Sequence, residues 1–164
     1  MRAVPLPAPT STSSVVFPRE KRGPAGSVDW ARMDLDLELI DRTVASLHEQ
    51  EPAFDWVGVY FVDGDMLVLG PFRGEPTEHE RIPLGEGVCG AVAATGETEV
   101  VPDVRERPGH IVCDLKTRSE VVAPIVREGR VLGVLDIDSN RPGAFGEREV
   151  RLVEEAAQEI AASA

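Results

Sequence analysis

The fold of this chain is decided by residues 56–71, which read WVGVYFVDGDMLVLGP. Valine and aromatic residues dominate Trp56–Val62, so this segment is predicted to be a β-strand. Asp63-Gly64 is a strong signal for a tight hairpin turn, and Met66–Pro71 supplies the partner strand. The stretch therefore predicts an antiparallel hairpin.

A second hairpin is predicted farther along the chain, with strands at Glu120–Val126 and Val131–Asp138 joined by a short turn. Apolar residues at helical spacing predict one helix from Asp29, the expected N-cap, to about Gln50, and another at Glu147–Ala162. Two shorter elements are predicted between the hairpins, a helix at Gly87–Ala94 and a strand at Thr98–Val101. Helices that flank two hairpins indicate an α+β domain built on an antiparallel β-sheet.

Length and charge limit what the protein can do. The 164 residues suffice for one folded domain, and we expect a disordered Pro/Ser-rich tail at 1–28 followed by a folded domain at 29–164. Acidic residues outnumber basic ones by 29 to 17, and the net charge of −12 argues against nucleic acid or an anionic membrane as the main partner. Since we find neither a membrane-spanning run nor a secretory signal, we expect a reducing cytoplasm and no permanent disulfide.

The chain has two cysteines, and both lie in segments where thiol chemistry is plausible. Cys89 lies among glycines in GVCG, and Cys113 follows Gly109-His110 and precedes an aspartate. The alternative is that both are reduced, buried thiols that only fill space. Their spacing does not match the paired C-x-x-C pattern of structural zinc, so no metal site is predicted.

Aromatic residues on the first strand suggest a small binding site. Alternate residues of a strand share a face, so Trp56, Gly58 and Tyr60 point the same way. Two aromatic walls around a missing side chain predict a slot for a small group. The alternative is that Gly58 lets a helix pack closely against the sheet.

Carboxylates on the last strand form a second unusual pattern. Asp136 and Asp138 share one face, where like charges raise each other's pKa unless a cation or hydrogen-bond donors lie between them. Asp138 is also explained as a residue that ends the strand in a turn, but Asp136 is not. Glu120, at the start of the preceding strand, could join them as a third acid.

Seven motifs in this order resemble those of the free methionine-(R)-sulfoxide reductases, a family of GAF-domain proteins. They are WVGVY (56–60), LVLGPF (67–72), GEGVCG (85–90), VPDV (101–104), PGHIVCD (108–114), SEVV (119–122) and GVLDID (133–138). The resemblance covers about residues 55–148. It implies a GAF fold, with an antiparallel sheet, helices mainly on one face and a small enclosed ligand pocket.

The resemblance also implies roles for individual residues in the reduction of free L-methionine (R)-sulfoxide. Cys113 would be the nucleophile, and Trp56 and Tyr60 would line the pocket around the substrate's methyl group and sulfur. The three acids, Glu120, Asp136 and Asp138, would lie at the sulfoxide oxygen and the ammonium group. Such chemistry suits the site, because a carboxyl whose pKa is raised by its neighbours can protonate the departing oxygen.

Recycling follows from the same resemblance, with one departure. Attack would leave a sulfenic acid on Cys113, Cys89 could condense with it as a disulfide, and thioredoxin or a similar thiol would reduce that disulfide without a bound cofactor. The family commonly has a third cysteine shortly after its Gly-Pro-Phe motif, and residues 74–80 contain none. Either Cys89 or an external thiol therefore resolves Cys113. Related domains often dimerise through helices, so a homodimer is also an expectation.

Two other functions remain open at this point. A non-catalytic GAF sensor would bind a small molecule or report redox state through its thiols, although such sensors usually accompany an output domain. An inactive relative retained as an interaction module would account for the missing cysteine.

Overall fold

The computed structural model describes residues 34–109 and 116–163. Within those ranges it contains three α-helices and six β-strands. In chain order these are α1 (Leu37–Gln50), β1 (Trp56–Asp63), β2 (Met66–Arg73), β3 (Arg81–Pro83), α2 (Gly87–Thr95), β4 (Glu99–Val101), β5 (Ser119–Arg127), β6 (Arg130–Ser139) and α3 (Glu147–Ala161). The predicted tail, 1–28, lies outside the described residues, so the domain boundary stays a prediction.

All six strands form one sheet in the order β3-β2-β1-β6-β5-β4, and every neighbouring pair is antiparallel. The two predicted hairpins are therefore confirmed as β1–β2 and β5–β6. They are joined at the centre of the sheet, where β1 pairs with β6. This architecture confirms the predicted α+β class with an antiparallel sheet.

Two details differ from the sequence-based expectations. The helix N-cap is Asp36 rather than Asp29, and its carboxylate accepts a hydrogen bond from the Leu39 N–H at 3.0 Å. Asp34 has φ +48°, a left-handed conformation that a continuous helix cannot include. Strand β3 was not predicted, because only one of its three residues favours a strand and it ends in a proline.

The sheet buries an apolar layer on each face. Helices α1 and α3 cover one face, where Val57, Val59 and Phe61 of β1 pack against Ile137 of β6 and the helices. The other face carries Tyr60 and is covered by α2 and the connections around β3 and β4. Two of the three helices thus lie on one face. The predicted site residues of the central strands, Trp56, Tyr60, Asp136 and Asp138, lie on the opposite face. None of the helices within 34–109 and 116–163 is both long enough and apolar enough to cross a membrane.

Candidate active site

The register of the three central strands brings distant residues into two adjacent rows. Asp138 of β6 pairs with Trp56 of β1 on one side and with Glu120 of β5 on the other. In the next row on the same face, Asp136 pairs with Gly58. Directly opposed residues have Cβ atoms roughly 4.5–5.5 Å apart, so the three predicted acids meet on one face of the sheet.

Helix α2 adds Cys89 to this group of acids. The thiol donates a hydrogen bond from Sγ to Oδ2 of Asp136 at 3.2 Å. One ligand atom from each of Cys89, Glu120 and Asp136 lies within 4.8 Å of the other two. The three residues are only 4%, 5% and 2% exposed. The sequence assigns the residues to their elements, and the sheet and α2 together bring them into contact.

The GEGVCG motif explains how α2 comes so close to the acids. A Cβ atom on Gly90 would lie 2.6 Å from the backbone oxygen of Pro83, so any other residue would push the first turn of α2 away from β3. Gly87, the first residue of the helix, has φ +63°, which disfavours other residues. Both glycines therefore serve to place the Cys89 thiol against Asp136.

Burial controls the protonation of these groups. Burial raises the pKa of Asp136 to about 6, although hydrogen bonds from Cys89 and Glu120 act in the opposite direction. Burial, reinforced by the charges of Asp136 and Asp138, raises the pKa of Glu120 well above its usual value. The pKa of the Cys89 thiol is likewise raised by burial and by the neighbouring acids. The Glu120–Asp136 pair thus retains a proton near neutral pH, and Cys89 stays a neutral donor.

Cys89, Glu120 and Asp136 are also the one set of residues in the described part of the chain whose ligand atoms lie close enough to hold a metal ion. A thiol and a carboxyl that both favour their protonated forms must lose those protons before they bind a metal. The sequence predicted no metal, and that remains a prediction.

The aromatic wall differs from the predicted slot. A Cβ atom on Gly58 would lie 2.2 Å from Cη2 of Trp56, which means that the indole ring itself covers Gly58. The Trp56 ring occupies the space above Gly58, which holds neither a ligand slot nor a closely packed helix. Both interpretations of Gly58 were therefore wrong. The indole also stacks on Phe72, with ring centroids 5.8 Å apart and planes inclined by 18°. Trp56 therefore presents a fixed apolar surface.

Side-chain hydrogen bonds attach the β2–β3 connection to this wall. Trp56 Nε1 donates to the backbone oxygen of Glu75 at 3.0 Å, and the Tyr60 hydroxyl donates to that of His79, also at 3.0 Å. At the start of the connection, Arg73 forms a two-pronged ion pair with Asp41 of α1, with both N–O distances 2.9 Å. The connection is thus held at several points where it borders the site.

These elements enclose a cavity of about 280 Å³. That volume is near the lower end for ligand pockets and suits a molecule of amino-acid size. The lining residues are Asp55, Trp56, Tyr60, Gly74, Glu75, Pro76, Thr77, Lys116, Thr117, Asp136, Asp138 and Asn140.

The predicted site residues take different positions around this cavity. Trp56, Tyr60, Asp136 and Asp138 line it, while Glu120 is not among the lining residues and lies close to Asp136. Oδ1 of Asp136 is buried and has no hydrogen-bond partner in the ranges 34–109 and 116–163, although the residue itself lines the cavity.

Cys113 lies outside the described residues, and its predicted role stays a prediction. Its segment follows Gly109 and precedes Lys116, which lines the cavity. Ion pairs flank the segment on both sides: Arg107 Nη2 lies 3.1 Å from Glu99, and Arg118 lies 3.0 Å from Asp103.

Sequence reasoning missed the residues that loops bring to the cavity. Lys116 and Glu75 form an ion pair there, with Nζ 2.8 Å from Oε1. No periodic pattern marks such positions, and only the placement of Lys116 two residues after the end of the PGHIVCD motif could have drawn attention to it.

Comparisons with known proteins agree with this architecture. The GAF domain family matches residues 36–164. The free methionine-R-sulfoxide reductase of Escherichia coli is 41% identical over 113 residues, which cover 69% of this chain and 68% of that protein. Among solved structures, the free methionine-R-sulfoxide reductase of Neisseria meningitidis in complex with its substrate is 40% identical, with a TM-score of 0.70 over 80% of each chain. The type II enzyme of Thermoplasma acidophilum is 32% identical, with a TM-score of 0.72 over 77% of this chain and 93% of that one.

Proposed function

Because the chain belongs to the free methionine-R-sulfoxide reductase family of GAF-domain proteins, we propose that it reduces free L-methionine (R)-sulfoxide to methionine. The family and the GAF fold that the motifs predicted are thereby confirmed. The observation that carries the proposed activity is the buried Glu120–Asp136 pair, which holds a proton beside an amino-acid-sized cavity with an aromatic wall.

The carboxyl pair supports the proton transfer to the sulfoxide oxygen that reduction requires. A thiolate attacks the sulfur only if the oxygen is protonated as it is transferred, and a carboxyl with a raised pKa can supply that proton near neutral pH. Asp136 lines the cavity and offers Oδ1 to the sulfoxide oxygen. Glu120, close to Asp136 and with its own pKa raised, shares the proton of the pair and can pass it to Asp136 before the transfer.

The remaining lining residues support binding of the rest of the substrate. The rings of Trp56 and Tyr60, with centroids 6.2 Å apart, form an apolar surface for the methyl group and the sulfur. Asp138 lies next to Trp56 across the sheet and lines the same cavity, so its carboxylate can bind the ammonium group.

Cys113 is the proposed nucleophile. Lys116 borders the cavity, and Cys113 precedes it by three positions in the chain. Three positions span at most roughly 10 Å, so the thiol can reach the substrate. Attack of the Cys113 thiolate on the substrate sulfur transfers the oxygen, with one proton, to cysteine as a sulfenic acid. Methionine is released, and the pair of carboxyls is left one proton short.

Cys89 is the proposed resolving thiol. Its hydrogen bond to Asp136 gives it a base once that carboxyl has delivered its proton, because the resulting carboxylate can accept the thiol proton. Cys89 then attacks the sulfur of the Cys113 sulfenic acid, and the departing hydroxyl takes the thiol proton back from Asp136, so that a disulfide and water form. Solvent replaces the proton that the carboxyl pair delivered to the substrate oxygen. Two electrons from thioredoxin or a similar dithiol reduce the disulfide, with no bound cofactor. A cytoplasmic setting, a homodimer and a domain boundary near residue 29 belong to the same proposal.

A thioredoxin-coupled assay with the separate R and S forms of free methionine sulfoxide tests the activity. We expect turnover of the R form only, and its loss in Cys113→Ser. No turnover of the R form, or undiminished turnover by Cys113→Ser, contradicts the proposal.

Cys89→Ser is the matched variant for the recycling step. We expect it to reduce about one equivalent of substrate, to accumulate a sulfenic acid that a dimedone probe can trap, and then to stall. Sustained turnover by Cys89→Ser would instead assign recycling to an external thiol. A non-catalytic sensor or an inactive relative would form neither a sulfenic acid nor a disulfide after treatment with the sulfoxide.

A further inference from the structure

The described lining of the cavity is strongly acidic and includes a single basic side chain. Asp55, Glu75, Asp136 and Asp138 carry carboxyl groups, and Lys116 carries the ammonium. The Nζ atom of Lys116 lies 2.8 Å from Oε1 of Glu75, and the two side chains are 60% and 67% exposed. They come from different connections, the one between β2 and β3 and the one that precedes β5.

A free amino acid makes two opposite demands on such a cavity. Its ammonium group suits the carboxylates, but its α-carboxylate is repelled by them unless a cation lies close. A methionine within a peptide makes no such demand, because its carboxyl is part of an amide. The residue that binds the α-carboxylate therefore decides between the free amino acid and the peptide.

We propose that Lys116 binds the α-carboxylate of the substrate and thereby determines specificity for the free amino acid. In this proposal the Glu75 carboxylate is an internal partner of Lys116 that the substrate carboxylate replaces. The inference rests on the proposed function, since it concerns the same cavity and the same substrate.

A continuous set of contacts connects Lys116 with the ammonium end of the site. Asp138 pairs with Trp56 across the sheet, Trp56 Nε1 donates to the backbone oxygen of Glu75, and the Glu75 side chain contacts Lys116. The α-ammonium and α-carboxylate groups are attached to one carbon atom. Asp138 and Lys116 line the same cavity, so a substrate whose ammonium binds Asp138 can direct its carboxylate toward Lys116.

The ion pair is also of the kind that a ligand can displace. Exposed ion pairs contribute little, since water screens the charges and both side chains lose conformational freedom. A carboxylate delivered by a substrate that is already held by Asp138 and the aromatic wall is more favourably placed than a flexible glutamate. Glu75 would keep Lys116 near the cavity until that exchange.

The test compares two ligands that differ only in the carboxyl group, free L-methionine (R)-sulfoxide and its carboxamide. Calorimetric titration gives Kd for each ligand, and the coupled assay gives kcat and KM separately. The variants are Lys116→Met, Lys116→Arg and Glu75→Gln. Arg81→Met is the matched control, because Arg81 is an exposed cation that pairs with Asp63 away from the cavity.

We expect Lys116→Met to raise Kd and KM for the free amino acid roughly tenfold, with little change in kcat, since it removes one charge-assisted contact. The carboxamide should bind wild type and Lys116→Met equally well. Lys116→Arg should largely restore the wild-type affinity for the free amino acid. Glu75→Gln should tighten binding of the free amino acid about two- to threefold, because it removes a weak competing carboxylate. Arg81→Met should change Kd for neither ligand.

Equal weakening of both ligands by Lys116→Met, or no change in either, overturns the inference. Binding is measured without turnover, so the two proposals fail separately. A protein that binds the free amino acid through Lys116 but does not reduce it supports this inference and contradicts the reductase proposal. A wild-type protein that binds neither ligand overturns both.

Discussion

Replacing Asp136 by asparagine should make the protein more stable at neutral pH while it removes the proposed proton donor. The pKa of Asp136 is raised from 3.8 to about 6 in the folded state, so between these pH values the folded protein binds more protons than the unfolded chain. Stability therefore falls as pH rises through this window. A difference of about two pH units at about 1.4 kcal/mol each corresponds to about 3 kcal/mol. Asparagine has the same shape, still accepts the hydrogen bond from Cys89, and carries no charge to bury.

Urea unfolding of wild type and Asp136→Asn at pH values from 4 to 8 measures this effect. The two proteins should be nearly equal in free energy of unfolding at pH 4, and the variant should lead by about 3 kcal/mol at pH 7. Activity with the (R)-sulfoxide should nevertheless drop by about 100-fold or more, since general-acid catalysis is lost.

Asp103→Asn is the control with the opposite sign. Arg105 and Arg118 lower the pKa of the Asp103 carboxyl by hydrogen bonding. The ionised Asp103 carboxylate therefore stabilises the folded protein at pH values above its unfolded pKa of about 4, and this stabilisation is lost as pH falls. This variant should be the less stable protein at pH 7, with no further change up to pH 8. A stability difference for Asp136→Asn that stays constant from pH 4 to 8, or a variant less stable than wild type at pH 7, would refute the reasoning.

Two further substitutions test the surroundings of the site. Gly58→Ala places a Cβ atom 2.2 Å from the Trp56 indole and should displace the ring, raising KM and costing about 1–3 kcal/mol of stability; an unchanged KM would show that the ring position does not matter. Asp41→Asn leaves Arg73 with only neutral acceptors, the asparagine amide and the Phe72 carbonyl. It should lower the free energy of unfolding by about 2 kcal/mol, less than for a fully buried pair because the Arg73 side chain is 23% exposed. Urea unfolding measures that loss, and a value within error of wild type would mean that the ion pair does not anchor the β2–β3 connection.

The hairpins and the faces of their strands could be predicted because the signals are local. Alternation along β1 places Trp56 and Tyr60 on one face, and alternation along β6 places Asp136 and Asp138 on one face. The Asp63-Gly64 turn then sets β2 beside β1. The start of α1 could not be placed in the same way. The apolar pattern continues upstream of Asp34, whose left-handed backbone conformation interrupts the helix.

The contacts within the site could not be predicted, since they depend on pairings between distant segments. The pairing of β6 with β1 and β5 sets Asp138 between Trp56 and Glu120, and a slip of one residue would send the acids to the opposite face. The Trp56 ring lies over Gly58, which no pattern within β1 indicates.

The sequence by itself determined the kinds of element, the faces of the strands and, through the motif resemblance, the family. Only the tertiary structure decided that Cys89 donates to Asp136, that Glu120 lies close enough to share a proton with it, and that Lys116 meets Glu75 beside the cavity. The physical reason is that strand periodicity and turn preference act between neighbours in the chain. A raised carboxyl pKa and an ion pair between loops exist only after the sheet register and α2 have excluded water and brought distant groups together.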